Sequence, residues 1–284
     1  MKPTAEQIDE QVQDRNPGVE FKMDPEPEVV RPGYKGSDKL KGKVAIVTGG
    51  DSGIGRSVAV HFAKEGADVA IVYLNEDKDA RKTKEMVEAE GQRCLLFAGD
   101  QSDSSFCNYV VKEVVAELGG INCLVNNAAH QDQIKDFTEI SDEHWRKTFA
   151  INVDGYFFFA RAVMPHLKKG DTIINTSSIN AFMGKGSMMD YSSTKGANLA
   201  FSRSLADSLT PKGIRVNTVA PGPIWTPFIP GGMTSTEDFG KNTPMGRPGQ
   251  PSELGPAYVF LASDDSSYVA GQTIHVNGGM VTGG

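Results

Sequence analysis

The chain has 284 residues, of which 39% are hydrophobic and 23% charged, so its composition excludes a fibrous or fully disordered protein. Its formal net charge of −7 excludes a general electrostatic surface for nucleic acid or an anionic membrane, although a local site can still bind a small anion. The three cysteines, Cys94, Cys107 and Cys123, are too few and too irregularly spaced for a disulfide framework or a metal site.

The first 40 residues differ in composition from the rest of the chain. They hold five of the 15 prolines and many charges, and they contain no apolar core of a secretory signal, so a cytoplasmic protein is expected. One interpretation is a disordered tail. The other is an arm that lies on the body or on a neighbouring subunit, because a solvated tail would not need spaced apolar residues such as Phe21, Met23 and Tyr34.

From residue 43 onward, short β-branched runs alternate with longer amphipathic segments. Strands are predicted over residues 43–48, 68–74, 93–98, 123–126, 172–176, 215–219 and 273–276. Helices are predicted over residues 54–65, 77–90, 103–118, 142–167, 191–209 and 251–262. This alternation predicts an α/β fold of the Rossmann type, a doubly wound, seven-stranded parallel sheet with helices on both faces. Residues 1–40 are expected to form the arm and residues 41–284 a single domain, in which the Pro- and Gly-rich residues 221–250 are typical of a substrate lid.

The first predicted strand leads into a glycine-rich turn that opens a helix. Glycines in such a turn allow the backbone to approach a pyrophosphate closely, and the helix N-terminus favours its negative charge. Because the turn has this strand-to-helix context, it predicts dinucleotide binding. The predicted cofactor contacts in the turn are Gly49, Asp51, Ser52, Gly53, Ile54 and Gly55.

Five motifs, in this order, resemble those of the short-chain dehydrogenase/reductase family from about residue 40 to the C-terminus. They are Thr48-Gly-x-x-x-Gly-Ile-Gly, Asn126-Asn127-Ala128-Ala129, Ser178 at 13 residues before Tyr191, Tyr191-x-x-x-Lys195 and Pro221-Gly222. Ala129 is a mild departure, because the family usually has glycine there. The arm and residues 221–226 resemble a bacterial subgroup that includes general stress proteins, aldehyde reductases and glucose or ribitol dehydrogenase homologues.

The chemistry is expected to centre on Tyr191 and Lys195, which share one helix face because they are four residues apart. The ammonium is expected to lower the pKa of the phenol from about 10, so that Tyr191 can exchange a proton with a carbonyl or alcohol oxygen. Ser178, at the end of the fifth predicted strand, would orient that oxygen. Ser177 is the neighbouring alternative, but the spacing to Tyr191 favours Ser178.

The resemblance implies further roles for individual residues. Lys195 also holds the nicotinamide ribose, Asn152 holds a water in a proton relay with Lys195, and Thr226 hydrogen-bonds the nicotinamide carboxamide. Asp100 either contacts adenine or only caps the next turn. The other implied cofactor contacts are Tyr73, Asn126, Ala128, Tyr191, Pro221, Gly222 and Ile224.

The choice between NAD and NADP stays open in the sequence. An acid at the end of the second strand would bind the ribose 2′-hydroxyl and repel a 2′-phosphate, but Tyr73 stands at that position. A clear 2′-phosphate clamp is also missing, and Arg56 is the nearest candidate base. Either cofactor is therefore expected to bind.

The leading functional hypothesis is an NAD(P)-dependent oxidoreductase that interconverts an aldehyde or ketone and an alcohol, with sugars and polyols included. Ser178 and Tyr191 would bind this small-molecule substrate. Trp225, Phe228 and Met188 could line its pocket or only pack, and His130 could touch substrate or be a solvated loop residue. Acyl-thioester reduction is less expected, because there is no evident basic patch for an acidic carrier protein.

The alternative hypothesis is a redox sensor or scaffold that binds the dinucleotide without turnover. Such a protein would have no chemical need for the intact set of Asn152, Ser178, Tyr191 and Lys195. No nucleic-acid or membrane partner is expected, and the resemblance implies a homotetramer.

Overall fold

Seven parallel strands form one sheet in the computed structural model, which describes residue 8 and residues 10–280. The strands are β1 (Val44–Thr48), β2 (Asp68–Tyr73), β3 (Cys94–Ala98), β4 (Cys123–Asn126), β5 (Thr172–Thr176), β6 (Arg215–Pro221) and β7 (Thr273–Val276). Their order, β3-β2-β1-β4-β5-β6-β7, confirms the predicted Rossmann-type sheet. The beginning of the predicted arm and the last four residues of the predicted domain lie outside the described residues.

Helices cover both faces of this sheet. They are α1 (Gly53–Lys64), α2 (Asp77–Glu88), α3 (Ser104–Leu118), α4 (Asp142–Phe149), α5 (Gly155–Val163), α6 (Asn180–Met183), α7 (Met189–Leu209), α8 (Phe228–Gly232) and α9 (Gly255–Ala262). The first four residues of β1 alternate between two cores, which explains why they are buried. Ala45 and Val47 pack with α1, α2 and α9, whereas Val44 and Ile46 pack with α3, α5 and the end of α7.

The predicted continuous helix over residues 142–167 is wrong in two ways. A π-type turn over Ala150–Asp154 separates α4 from α5, and α5 ends at Val163. Pro165 follows this end, and it cannot donate the backbone hydrogen bond that would continue the helix. The predicted helix over residues 251–262 likewise begins as a 3₁₀ turn, Pro251–Glu253, before α9.

The described part of the N-terminal segment lies against the body along its length. Trp225, which is fully buried, donates from its indole nitrogen to the Pro25 carbonyl at 2.8 Å. Ile8 and Met23 pack beside Trp225 in a small apolar cluster. Further along, the Tyr34 hydroxyl donates to Glu65 at 2.6 Å. These contacts match the interpretation of an arm on the body rather than a solvated tail.

The described residues include no helix that is both long and apolar enough to cross a membrane. All three cysteines are free and buried.

Candidate active site

A cleft of about 610 Å³ opens at the carboxyl edge of the sheet. The strand order reverses between β1 and β4, and doubly wound sheets bind ligands at such a reversal. The glycine turn lines one part of the cleft, and Ser178, Tyr191 and Lys195 line another. The fold therefore brings the predicted cofactor turn and the predicted catalytic groups into one cavity.

The glycine turn is closely packed and needs glycine for two different reasons. Gly49 and Gly53 have φ values of +64° and +51°, in the left-handed region that favours glycine. A Cβ atom on Gly55 would lie 1.9 Å from the Gly49 carbonyl oxygen. The Thr48 hydroxyl accepts from the backbone N–H groups of Asn127 and Ala128 at 2.9 and 3.0 Å, which ties the turn to the loop after β4.

Acidic groups lie behind this turn. Burial is the main reason that the pKa of Asp51 is raised to about 6, and the neighbouring charge of Glu76 also raises it. The hydrogen bond that Ser52 donates to Asp51 acts in the opposite direction and lowers the pKa. Burial also raises the pKa of Glu20 to about 7, although Arg56 and the Gly53 N–H oppose the shift. Asp51 and Glu76 line the cleft, whereas Glu20 does not.

Arg56 does not fit its expected role as a base for a 2′-phosphate. It is 5% exposed and is paired with Glu20 and Asp79. Its guanidinium also donates to the Asp51 carbonyl at 2.7 Å and to the Thr83 hydroxyl at 2.9 Å. Because these partners hold the guanidinium behind the turn, Arg56 does not line the cleft. Its place next to the turn in the sequence gives no sign of the partner that the arm supplies.

Most of the other predicted cofactor contacts line the cleft. They are Tyr73, Asp100, Ala128, Pro221, Gly222, Ile224 and Thr226. The Tyr73 hydroxyl donates to Asp77 at 2.8 Å, and one Asp100 oxygen accepts from the Ser102 N–H at 2.8 Å. Asp100 thus caps a turn and lines the cleft at once.

Asn126 is an exception among the predicted contacts. Its side chain is fully buried and donates to Asn175 on β5 at 2.9 Å, and it does not line the cleft. The neighbouring Asn127 lines the cleft instead and donates to the Thr48 carbonyl at 3.1 Å. Side chains alternate across a strand, so adjacent residues of this motif face opposite sides.

Tyr191, Lys195 and Ser178 surround one point of the cleft. Burial raises the pKa of Tyr191 to about 12, with an opposing hydrogen bond from Ser178. Burial alone lowers the pKa of Lys195 to about 7. The Lys195 Nζ lies 5.5 Å from the Tyr191 ring centre and donates to the Thr176 carbonyl at 2.9 Å and the Tyr156 hydroxyl at 3.2 Å. The pKa of Tyr191 is therefore raised rather than lowered as expected, because burial is the largest influence on it.

Asn152 lies in the π-type turn between α4 and α5, and such turns occur frequently at functional sites. Its side chain accepts from the His130 N–H at 2.7 Å and donates to the His130 carbonyl at 2.9 Å and the Thr194 hydroxyl at 3.0 Å. Its own carbonyl accepts from Asn198 at 3.0 Å. The residue therefore joins the loop after β4 to α7, the helix that carries Tyr191 and Lys195.

Trp225 does not reach the cleft, contrary to its expected place in a substrate pocket. Its ring is fully buried among the arm residues and Ile229, and its indole N–H bonds Pro25. Phe228 and Met188 do line the cleft, and the Phe228 ring centre lies 5.9 Å from that of Tyr191. The wall of the substrate end is therefore supplied by the start of α8 and the turn before α7.

Three residues of the arm, Asn16, Pro17 and Gly18, also line the cleft, and the sequence motifs did not identify them. Arg15 donates to Asn75 at 2.7 Å and pairs with Glu76 in the loop after β2. Asn16 donates to the Gln131 carbonyl and to Asp132 at 2.6 and 2.7 Å, in the loop after β4. The arm thus bridges two loops at the rim of the cleft. Its composition carried no signal for this position.

The sequence is similar to a known protein family and to several known proteins. The family described as enoyl-(acyl carrier protein) reductase matches residues 49–281. General stress protein 39 of Bacillus subtilis is 53% identical over 271 residues, 95% of each chain. Glucose and ribitol dehydrogenase of Daucus carota is 48% identical over 286 residues, 98% of each chain. The chloroplastic NADPH-dependent aldehyde reductase 1 of Arabidopsis thaliana is 46% identical over 282 residues, 96% of this chain and 98% of that one.

Solved structures agree with this placement. A short chain dehydrogenase from Burkholderia cenocepacia J2315, in complex with NADP, is 29% identical with a TM-score of 0.80, over 85% of this chain and 98% of that chain. A blue fluorescent protein from a metagenomic library, in complex with NADPH, is 31% identical with a TM-score of 0.80, over 86% of this chain and all of that chain.

Proposed function

The chain belongs to the short-chain dehydrogenase/reductase family of NAD(P)-dependent oxidoreductases, and we propose that it interconverts an aldehyde or ketone and the corresponding alcohol in the described cleft. The observation that carries this proposal is the convergence of Ser178, Tyr191 and Lys195 beside the glycine turn in one cavity. The names of the carrot and Arabidopsis relatives, glucose and ribitol dehydrogenase and aldehyde reductase, support sugars, polyols and aldehydes as the substrate classes.

The residues of the turn fit a dinucleotide. The positive φ of Gly49 and Gly53 and the close contact of Gly55 with the Gly49 carbonyl bring backbone close to the start of α1, whose N–H groups can hold a pyrophosphate. A nicotinamide cofactor held there would supply the hydride for a carbonyl carbon or accept one from an alcohol. Tyr73, Asp100, Pro221, Gly222 and the other cleft-lining contacts would hold the rest of the cofactor.

Tyr191 would move the proton of the substrate oxygen. With a pKa of about 12 the phenol is protonated at neutral pH, so it can donate to the carbonyl oxygen in reduction. The Ser178 hydroxyl, which bonds the same phenol, would hold the substrate oxygen in line. Lys195, with a pKa of about 7, can take up or release a proton near neutral pH and so restore that of Tyr191.

Asn152 and the lid complete the proposed machinery. Asn152 fixes the distance between the loop after β4 and α7 through His130 and Thr194, and the family role of holding a water remains our proposal for it. Residues 221–250 contribute Ile224, Thr226 and Phe228 to the cleft, which supports their role as a substrate lid.

The experiment for this proposal is a screen of aldehydes, sugars and polyols with NAD(H) and NADP(H), followed at the nicotinamide absorbance. For any substrate that turns over, cofactor deuterated at C4 should pass its label to the product carbon. Turnover without label transfer would contradict direct hydride transfer. Cofactor binding with no turnover of any class would instead favour the non-catalytic sensor or scaffold.

The homotetramer and the cytoplasmic location are further proposals. Within the apolar run of residues 156–159, Tyr156 and Phe159 are fully buried in the core, but Phe157 on α5 is 44% exposed and could meet a neighbouring subunit. Light scattering coupled to size exclusion should give four chains per particle, and a monomer would contradict the proposal. The three free, buried cysteines support a reducing compartment.

A further inference from the structure

Three metal-ligating side chains converge at the rim of the cleft, next to Asn152. His130 and Asp132 lie in the loop after β4, and His144 lies in the first turn of α4. Asp132 Oδ2 is 3.1 Å from His130 Nε2 and 3.7 Å from His144 Nδ1. One ligand atom from each residue lies within 4.8 Å of the others. None of these side chains is a member of the Ser178, Tyr191, Lys195 and Asn152 set.

The orientation of His130 is informative. His130 is 5% exposed, and its Nε2 lies 3.1 Å from Asp132 Oδ2. A buried imidazole nitrogen and a carboxylate oxygen at this separation can both ligate one cation.

Surrounding hydrogen bonds hold the other two ligands in position. His144 Nε2 lies 3.0 Å from Oδ2 of Asp190, which is 1% exposed, so its opposite nitrogen, Nδ1, is turned toward the cluster. Asn16 of the arm donates to Asp132 Oδ1 at 2.7 Å, which leaves Oδ2 for the cluster. A histidine oriented by a carboxylate is the usual outer support of a zinc ligand.

We propose that His130, Asp132 and His144 bind one divalent transition-metal ion of the zinc type. Ligand atoms at about 2.0–2.2 Å from a tetrahedral zinc are about 3.3 Å apart, and the distances of 3.1 and 3.7 Å lie on either side of this value. Two imidazoles and one carboxylate select zinc, cobalt or nickel over magnesium and calcium, which prefer oxygen ligands. A water would occupy the fourth position.

Such an ion would link separate parts of the site. Asp132 is bonded to the arm through Asn16, His130 is bonded to Asn152, and His144 is bonded to Asp190 at the start of α7. Binding at the cluster therefore stabilises the arm across the rim of the cleft. The ion touches neither Ser178 nor Tyr191 in this proposal, so it has a structural and regulatory role rather than a catalytic one.

The test is calorimetric titration of full-length, chelator-treated protein with ZnCl₂, together with the visible absorption of CoCl₂-loaded protein. Wild type should bind one equivalent of each ion, and cobalt should give the intense spectrum of tetrahedral coordination. Asp132→Asn and His144→Gln should each weaken zinc binding at least about tenfold. His166→Gln, which changes a histidine outside the cluster, should bind like wild type.

Three results would overturn the proposal. One is the absence of stoichiometric zinc binding by wild type. Another is zinc binding that neither Asp132→Asn nor His144→Gln weakens while circular dichroism shows both variants folded. Asp132→Asn is the more conservative variant, since the Asp132 side chain is 37% exposed and its amide replacement keeps the same shape. Magnesium binding as tight as that of zinc would also contradict the ligand chemistry.

Discussion

Removing the Trp225 side chain should release the arm from the body. Trp225 is fully buried between the arm and α8, and its indole N–H bonds the Pro25 carbonyl at 2.8 Å. A buried tryptophan removes about 150–250 Å² from water, which corresponds to about 4–6 kcal/mol at about 25 cal/mol per Å². Truncations of this kind typically destabilise by about 3–5 kcal/mol, so Trp225→Ala should weaken the docking of this part of the arm.

A conservative variant separates the hydrogen bond from the packing. Trp225→Phe keeps an aromatic ring but leaves the Pro25 carbonyl without its donor, which should destabilise the folded chain by about 1–3 kcal/mol. If the loss falls on arm docking, the population of the released arm should rise about 5- to 150-fold. Tyr268→Ala, which removes a fully exposed aromatic ring, is the matched control and should leave docking unchanged.

The assay is limited proteolysis under native conditions, with cleavage sites mapped by mass spectrometry. Cleavage within residues 10–40 should accelerate in the order Trp225→Ala, Trp225→Phe, wild type. An arm that stays as resistant in Trp225→Ala as in wild type would refute this reasoning.

Three further outcomes are expected. In Gly55→Ala the new Cβ would lie 1.9 Å from the Gly49 carbonyl oxygen, so NAD(P)H binding should weaken about ten- to hundredfold in a fluorescence titration. Gly120→Ala is the control, because open space surrounds Gly120, and it should bind NAD(P)H like wild type. Burial raises the pKa of each of the three cysteines to about 12, so an aromatic disulfide reagent should label none in the native protein and all three in denaturant; rapid native labelling would contradict their burial. The pKa of Lys195 is about 7 in the folded chain and about 10.5 in the unfolded chain, so the unfolded chain binds one more proton between these pH values. The free energy of unfolding of the wild type should therefore rise relative to that of Lys195→Met by about 1.4 kcal/mol per pH unit from pH ~7 to ~9.5 in denaturant titrations. A difference that does not change with pH would count against a neutral Lys195.

The sheet and its motifs could be predicted from the sequence because local signals carry them. Buried parallel strands such as β1 are continuous apolar runs in the sequence, which makes them predictable. The order of the motifs along the chain also indicates which strand ends lie together at the edge of the sheet. Helix ends were less predictable. Pro165 is a local signal for a helix end, but the apolar pattern continues past it. The π-type turn around Asn152 instead depends on the bonds of Asn152 to His130 and Thr194, which are distant in sequence.

The errors at the site have a common physical origin in the arm. Their place in the chain makes Trp225 a candidate for the substrate pocket and Arg56 the nearest candidate base, but the arm supplies the Pro25 carbonyl to one and the Glu20 carboxylate to the other. These partners are 200 and 36 residues away, so no local pattern reveals them. The Tyr191 pKa is a similar case, because four-residue spacing predicts closeness to Lys195 but not how completely the fold buries both groups.

The most direct test of the proposed chemistry is the turnover of Tyr191→Phe beside Tyr258→Phe. Tyr258 is an equally buried tyrosine that bonds the Thr176 hydroxyl at 2.7 Å and does not line the cleft, so it is a matched control. Tyr191→Phe should bind NAD(P)H like wild type and lose about 10²–10⁴-fold in kcat, whereas Tyr258→Phe should retain turnover. Undiminished kcat in Tyr191→Phe, with the cofactor bound, would contradict Tyr191 as the group that moves the proton.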